Sequence, residues 1–420
     1  MNAPQIYLLV SIVGAALTAL SLFPGPRRGF LPSLFFASGM LIGDIAPWHI
    51  AWQVLATLAF AAAGAFDAWP GWAGLVVTLA SWVGLAVAIA RAKQSAAPIE
   101  AALAETLGAD YRSAIPPDLL AVIGADRAAS AWQNPFRRRM RGVERIRDVS
   151  YGPAGERNLL DVVRPVERAE RRPTLMYIHG GAWTMGRKDE QGLPLMLRLA
   201  SLGWVCITPN YRLGPHATFP DQLIDVKRAL AWIREHGAEY GADPDFVVVT
   251  GGSAGGHLSA LLALTANRPE YQPGFEQVDT RVNAAVPLYG AYDLLDRNRV
   301  RPDTAQIEFL KKRVLKCAPD EDRALWEAFS PFSQVHRDAP PFFVLHGRND
   351  SLLFFEDARY FVEALRKTSA QHVVYAEIPH AQHAFELMHS VRASAVVDAV
   401  VRYVEYIRAT TRGIPSSQGE

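Results

Sequence analysis

Ser253 sits in the pentad Gly251-Gly252-Ser253-Ala254-Gly255, which fits the G-x-S-x-G pattern of a nucleophile held on a sharp strand-to-helix turn. Glycine and serine are common enough that these three fixed positions recur by chance in roughly one chain in ten of this length, so the pentad alone decides nothing. A serine hydroxyl at neutral pH is a weak nucleophile. It needs a base to take its proton, a carboxylate to orient that base, and donors for the negative charge that develops on the attacked carbonyl oxygen.

The chain offers each of these in a suitable place. In "VLHGRNDSLL", Asp350 follows an apolar run, where a carboxylate can be held in a loop without entering the core. In "AEIPHAQHAF" two histidines follow the last apolar run. His383 is the expected base, because His380 follows Pro379 directly and His383 lies farther into the loop. The order Ser253, Asp350, His383 is the one a hydrolase with a G-x-S-x-G elbow uses. Backbone donors are expected from Gly180 and Gly181 in "YIHGGAW", completed by Ala254 immediately after the nucleophile. Trp183 in the same turn and Asp293 in "YGAYDLLD" are candidate substrate contacts. His346 at a strand end and His257 on the elbow helix read as structural, and Asp225, mid-helix, as a solvated or locally bonded carboxylate.

These residues require strand ends to carry them. After Arg141 the sequence alternates short β-rich runs with helical ones, which predicts an α/β domain with a mostly parallel sheet. A hairpin is expected from "RIRDVSYG" and "RNLLDVVRP", then strands in "TLMYIH", "WVCITP", "FVVVTG", "NAAVPLYG", "FFVLHG" and "VVYAEIP". The apolar strand and the helix-forming run "AGGHLSALLALTA" flank Ser253 on either side, as an elbow demands. About fifty residues separate the strand ending near Tyr289 from the one beginning near Phe342, too many for an ordinary loop. They predict a small helical cap over residues 291–340 within a catalytic domain spanning 142–412, and a disordered tail over 413–420.

The first ninety residues have a different character. From Met1 to Ile89 the only charged side chains are Arg27, Arg28, Asp44 and Asp67, and they separate apolar stretches of bilayer-crossing length. About four helices are expected over residues 1–93, running Ile6 to Phe23, Phe30 to Ala46, Ile50 to Phe66 and Trp72 to Ile89, with Asp44 and Pro47 cutting the second short. Trp48, Trp52, Trp69 and Trp72 lie near the proposed ends, where indole rings favour the headgroup region. No basic stretch precedes the first apolar segment and others follow at once, so a retained multi-pass anchor is expected rather than a cleaved signal peptide. With four spans the Arg27/Arg28 loop and the Arg91/Lys93 flank fall on opposite faces and the charge rule ties; three spans put both on one face. The basic stretch "FRRRMRGVERIR" tilts the orientation toward a cytoplasmic catalytic domain. Residues 94–141 read as a juxtamembrane helical connector broken at Pro116-Pro117.

With Lys+Arg 43 against Asp+Glu 42 the net charge is +1, which gives nucleic acid no electrostatic footprint. Arg137, Arg138, Arg139 and Arg141 read as a solvated charged stretch that can meet anionic lipid. Cys206 and Cys317 offer no metal-ligand spacing and read as two unpaired thiols. No metal or organic cofactor is expected; the expected partners are a small-molecule or lipid ester and membrane lipid.

Residues 142 to 410 resemble the α/β-hydrolase superfamily, and within it the bacterial carboxylesterases related to hormone-sensitive lipase and to the acetyl-esterase and prenylcysteine-methylesterase groups. The resemblance rests on "HGGAW", "PNYRLGPHATFPDQLIDVKRALAWI", "GADPDFVVVTGGSAGGHLSA", "HGRNDSLL" and "AQHAF". It implies the α/β-hydrolase fold and a Ser-Asp-His triad carried over onto Ser253, Asp350 and His383. It also implies hydrolysis of carboxylic esters through an acyl-enzyme, and the proposed cap, by limiting the pocket, points to acyl chains of short to medium length. Amide cleavage on the same fold, or a non-catalytic membrane scaffold, are the alternatives. Two positions depart from the hormone-sensitive-lipase pattern: Ala182 stands where a third glycine is common, and Gly252 where an aspartate often precedes the nucleophile. The apolar region resembles the anchors of some membrane-bound actinobacterial esterases and of the prenylcysteine methylesterases, which implies substrates in or near lipid.

Overall fold

The computed structural model describes residues 1–29, 31–124 and 134–412. The expected tail at 413–420 and Phe30, the expected start of the second apolar segment, lie outside the described residues.

The catalytic domain is built on one eight-stranded sheet in the order β1-β2-β4-β3-β5-β6-β7-β8. β1 (Val143–Ser150) and β2 (Leu159–Pro165) form the expected antiparallel hairpin, and β2 runs antiparallel to β4 (Val205–Pro209). From β4 onward every neighbouring pair is parallel: β3 (Arg172–Ile178), β5 (Ala242–Gly252), β6 (Ala284–Leu288), β7 (Phe342–Gly347) and β8 (Val373–Ile378). These strands are apolar runs buried on both faces, as a sheet covered by helices on each side requires. This is the α/β-hydrolase fold. Because β5 to β8 are parallel neighbours, the chain leaves all of them along one edge of the sheet, and that edge receives the loops bearing Ser253, Tyr289, Asp350 and His383.

The segment between β6 and β7 holds short helices at Ala305–Arg313 and Arg323–Phe329. Phe329 packs on Trp183 and His257, with ring centroids 5.3 and 4.3 Å apart, and the Phe219 N–H donates to the Val314 carbonyl. The segment thus closes over the "HGGAW" turn and the foot of the elbow helix.

Four apolar helical segments occupy the first ninety-three residues. α1 (Ala3–Leu22) and α4 (Trp69–Lys93) are each long and apolar enough to cross a membrane. α2 (Leu31–Ser38), continued by a π-turn over Gly39–Gly43, and α3 (Ala46–Ala62) reach that length only as a pair, bent by 79°. The bend falls at Asp44 and Pro47, where the sequence interrupts its apolar run. Inside this bundle small and hydroxyl side chains meet: Thr18 and Ser81 hydroxyls lie 2.9 Å apart, Thr78 donates to Ser11, and Gln53 donates to Ser81. Apolar side chains including Leu9, Ile12, Leu55, Leu58, Val76 and Val83 point outward. Small-residue packing with an apolar exterior is the pattern of helices that associate in lipid.

The described part of the connector packs on the sheet domain. Its helix Ala96–Leu107 ends at Gly108 in the left-handed region, earlier than the apolar spacing suggests, and buries Ile99 and Leu103 in the same core as β7 and β8. Glu100 on that helix accepts from Tyr111 and pairs with Arg112 and Arg402.

Candidate active site

β5 ends at Gly252 and a helix (Ala254–Leu264) starts at once, so Ser253 alone makes the turn, at φ 58° and ψ −121°. A β-substituted residue in that region is strained by about 1–3 kcal/mol and persists only where its surroundings fix it. Here the Ser253 N–H donates to the Leu288 carbonyl at the end of β6, and the Ser253 carbonyl accepts from His257 N.

The expected base and acid, His383 and Asp350, lie on the loops after β8 and β7. His383 Nδ1 donates to Asp350 Oδ2 at 2.7 Å, which leaves His383 Nε2 as the acceptor nitrogen. Asp350 Oδ1 takes the amides of Leu352 and Leu353, both at 2.9 Å. Burial alone would raise this carboxyl, but the charges and hydrogen bonds of His383 and His346 outweigh it and hold Asp350 well below the usual carboxylate range. His346 therefore does more than end a strand: its Nε2–H is shared between Asp350 Oδ2 at 3.1 Å and the Leu353 carbonyl at 2.9 Å. Burial pulls its pKa down and the Asp350 carboxylate more than restores it, leaving it above the ordinary value. The histidine that reads as structural from sequence is thus a second partner of the acid.

The imidazole of His383 rests on Tyr289, with ring centroids 4.6 Å apart. Tyr289 in turn bonds the buried Glu386, which also accepts from Tyr177 at 3.1 Å. Burial lifts the Glu386 carboxyl above its ordinary value despite those bonds. Tyr289 also accounts for Gly252, since a Cβ there would collide with its hydroxyl. The position where the hormone-sensitive-lipase pattern often has aspartate is closed to a side chain by the Tyr289 ring.

On the opposite flank the "HGGAW" turn approaches the nucleophile. A Cβ on Gly180 would stand 3.1 Å from Ser253 Cβ and 2.7 Å from the Gly252 carbonyl, so only glycine fits. The Gly180 N–H, expected as an oxyanion donor, already donates to Gln191 Oε1 at 2.7 Å. The amides of Gly181 and Ala254 have no such partner among the described residues. Ala182 and Trp183 follow at φ 51° and 58°, two consecutive side-chain-bearing residues in the left-handed region, where a third glycine would have relieved the strain.

Two expected substrate contacts are not open to a ligand. Trp183 is buried, with its Nε1–H on His257 Nδ1 at 3.2 Å and its ring against Phe329. Asp293 is also buried, and its carboxylate accepts the amides of Arg297 at 2.7 Å and Leu295 at 3.3 Å and pairs with the Arg297 guanidinium. Both lie past a strand end, and both side chains turn inward. Asp225 is likewise buried and locally bonded rather than solvated, receiving a bidentate contact from Arg212.

Sequence gave no signal for Gln382. Its Oε1 accepts from Ser351 N at 2.8 Å and from His383 N at 3.0 Å, so one side-chain oxygen ties the acid loop to the base loop.

A domain family described as BD-FAE matches residues 160–365. Over 409 residues, 96% of this chain and 93% of the relative, the sequence is 41% identical to a probable carboxylic ester hydrolase, LipM, of Mycobacterium tuberculosis. It is 39% identical over 302 residues to the esterase LipC of the same organism, covering 69% of this chain and 73% of the relative. Among solved structures, a thermophilic esterase from the planctomycete Thermogutta terrifontis, with butyrate bound, superposes with a TM-score of 0.53 at 25% identity and covers 67% of this chain and all of that one. Fold and likeness together define an α/β-hydrolase of the esterase class. More narrowly, the chain belongs to the family of carboxylic ester hydrolases to which LipM belongs, and the likeness to LipM extends through the apolar N-terminal region.

Proposed function

We propose that this protein is a membrane-anchored serine carboxylesterase that hydrolyses short- to medium-chain carboxylic esters. The observation that carries the reading is the 2.7 Å Asp350–His383 pair on the same sheet edge as a strained Ser253, with the Gly181 amide of the glycine turn and the Ala254 amide of the elbow helix free among the described residues. His383 Nε2 takes the Ser253 proton as Oγ attacks the ester carbonyl, and the imidazolium formed is stabilised by a carboxylate that stays ionised. Gly181 and Ala254 amides receive the oxyanion, while Gly180 supplies close approach. The protonated His383 then gives its proton to the departing alcohol, and water, activated by the same nitrogen, releases the acid from the acyl-enzyme.

The short acyl preference follows from the cap seated on the Trp183 turn and agrees with the butyrate held by the planctomycete esterase. Anchoring follows from α1 and α4 and the outward apolar side chains of the bundle. The Arg91 guanidinium donates to the Leu22 carbonyl and Arg27 pairs with Glu356, contacts that support a topology in which both basic flanks and the catalytic domain share one face. By the charge rule that face is cytoplasmic.

Full-length protein in mild detergent, assayed on p-nitrophenyl acetate, butyrate, octanoate and palmitate and on butyryl p-nitroanilide, tests the reading. Turnover of the acetate and butyrate esters, falling toward palmitate, is expected. Turnover of the anilide with none of the esters would replace the esterase with an amidase.

A further inference from the structure

α2 has two apolar faces with different surroundings. Leu31 and Leu34, and Leu41 just beyond the helix, are exposed. Phe36 and Met40 pack on the hydrolase core. The inner face meets the two loops that carry the expected acid and base. The Pro32 carbonyl accepts from Ser351 Oγ at 2.8 Å, one residue from Asp350. The Phe36 ring stands edge-on to His383 with centroids 5.7 Å apart and planes at 75°. Gly39 lies against Gln382, such that a Cβ there would come within 2.6 Å of Gln382 Cγ.

The segment is latched at both ends. On one side Arg27 pairs with Glu356 at 2.6 Å and covers the Phe354 ring at 4.6 Å. On the other, buried Asp44 faces buried Arg392 at 3.5 Å.

We propose that α2 is a structural part of the catalytic site, with Phe36 a positioning residue that holds the His383 imidazole between itself and Tyr289. The inference rests on the serine-esterase reading and extends it. His383 is fixed on one face by Tyr289, on its Nδ1 side by Asp350, and on its remaining flank by a ring supplied from nearly 350 positions earlier in the chain. Without that ring the imidazole gains freedom to swing, and a base displaced by about 1 Å loses much of its rate while substrate binding is untouched. The arrangement also sets a single helix between the catalytic histidine and the surface formed by Leu31, Leu34 and Leu41, which suits an ester partitioned into lipid over one dissolved in water.

The test uses full-length protein in detergent. Phe36→Ala should lower kcat on p-nitrophenyl butyrate by roughly tenfold or more with KM within about twofold. Phe36→Leu should recover most of that loss, and Leu58→Ala on the exposed face of the helical bundle, away from α2, should match wild type. Should Phe36→Ala fail to fold, Gly39→Val lifts the helix from Gln382 with the ring retained and should show the same selective loss of kcat. A fluorophosphonate that labels wild type at Ser253 separates the two claims. Wild type labelled and active, with unchanged kcat in Phe36→Ala or Gly39→Val, overturns the role of α2 alone. Absence of labelling in active wild type overturns the serine-esterase reading beneath it.

Discussion

The two flanks of the site are held in place by different means. On the nucleophile flank the geometry is local: Ser253 is fixed by its own strained backbone, by the β5–helix junction and by the Leu288 carbonyl, with Gly180 packed against it. On the acid–base flank the geometry is assembled from afar. Asp350 and His383 sit on long loops joined through Gln382, braced by His346, Tyr289 and Glu386, and covered by α2 from the first forty residues. A nucleophile must present one atom at one point, which a turn achieves alone. A base must keep its orientation through two proton transfers, which requires partners on several sides of the ring.

Removing the nucleophile should have the largest effect. Ser253→Ala is expected to lower kcat on p-nitrophenyl butyrate by about 10⁴-fold or more, measured with full-length protein whose circular dichroism is unchanged. Activity retained within tenfold would move the nucleophile elsewhere and dissolve the comparison. Asp350→Asn comes next, with a fall of roughly 10³- to 10⁴-fold, because a neutral amide neither orients the Nδ1–H nor stabilises the imidazolium. A small effect would mean that His346 and the loop amides hold His383 without the charge.

Gln382→Ala sharpens the contrast, since it breaks the link between the loops together with the contact of Gln382 on Gly39. It should cost about tenfold in kcat with KM nearly constant, and an equal loss in both parameters would make the link a general structural brace.

The smallest effect concerns stability on the nucleophile flank. Burial pushes His257 down to about 3 and His179 down to about 4, so both stay neutral when folded and bind protons only when the chain unfolds, near an ordinary pKa of about 6.5. The unfolded state therefore holds more protons below that value. Stability from these groups is complete above pH ~6.5 and declines as pH falls toward 4. A plot of Tm against pH should slope upward across that window, and His257→Gln should flatten it. An unchanged slope in the variant would remove His257 as a source.

The same division decides what the sequence could reveal. The candidates Ser253, Asp350 and His383 were legible because each lies just past an apolar strand; the six parallel strands were legible because burial by helices on both faces demands apolar runs, and β1, charged and without a fully buried residue, only as one arm of a hairpin. The order of β3 and β4 in the sheet was not, since it depends on how crossovers pack. Trp183 and Asp293 were read as candidate substrate contacts and are buried here, because position past a strand end says nothing of the direction in which a side chain turns. Gln382 and Phe36 carry no local motif at all. Their meaning comes from contacts between segments that are far apart in sequence, or between loops whose approach only the folded sheet defines. Asp44 and Pro47 marked a weak second span, and the chain bends there by 79° so that α2 can lie on the catalytic domain.

The most direct test of the triad is to react the full-length chain with a fluorophosphonate and locate the adduct by peptide mass spectrometry, with His383→Ala in parallel. The account predicts one adduct, on Ser253, formed at least about 100-fold more slowly in the variant. An adduct on another serine, or equal labelling of Ser253 without His383, would contradict it.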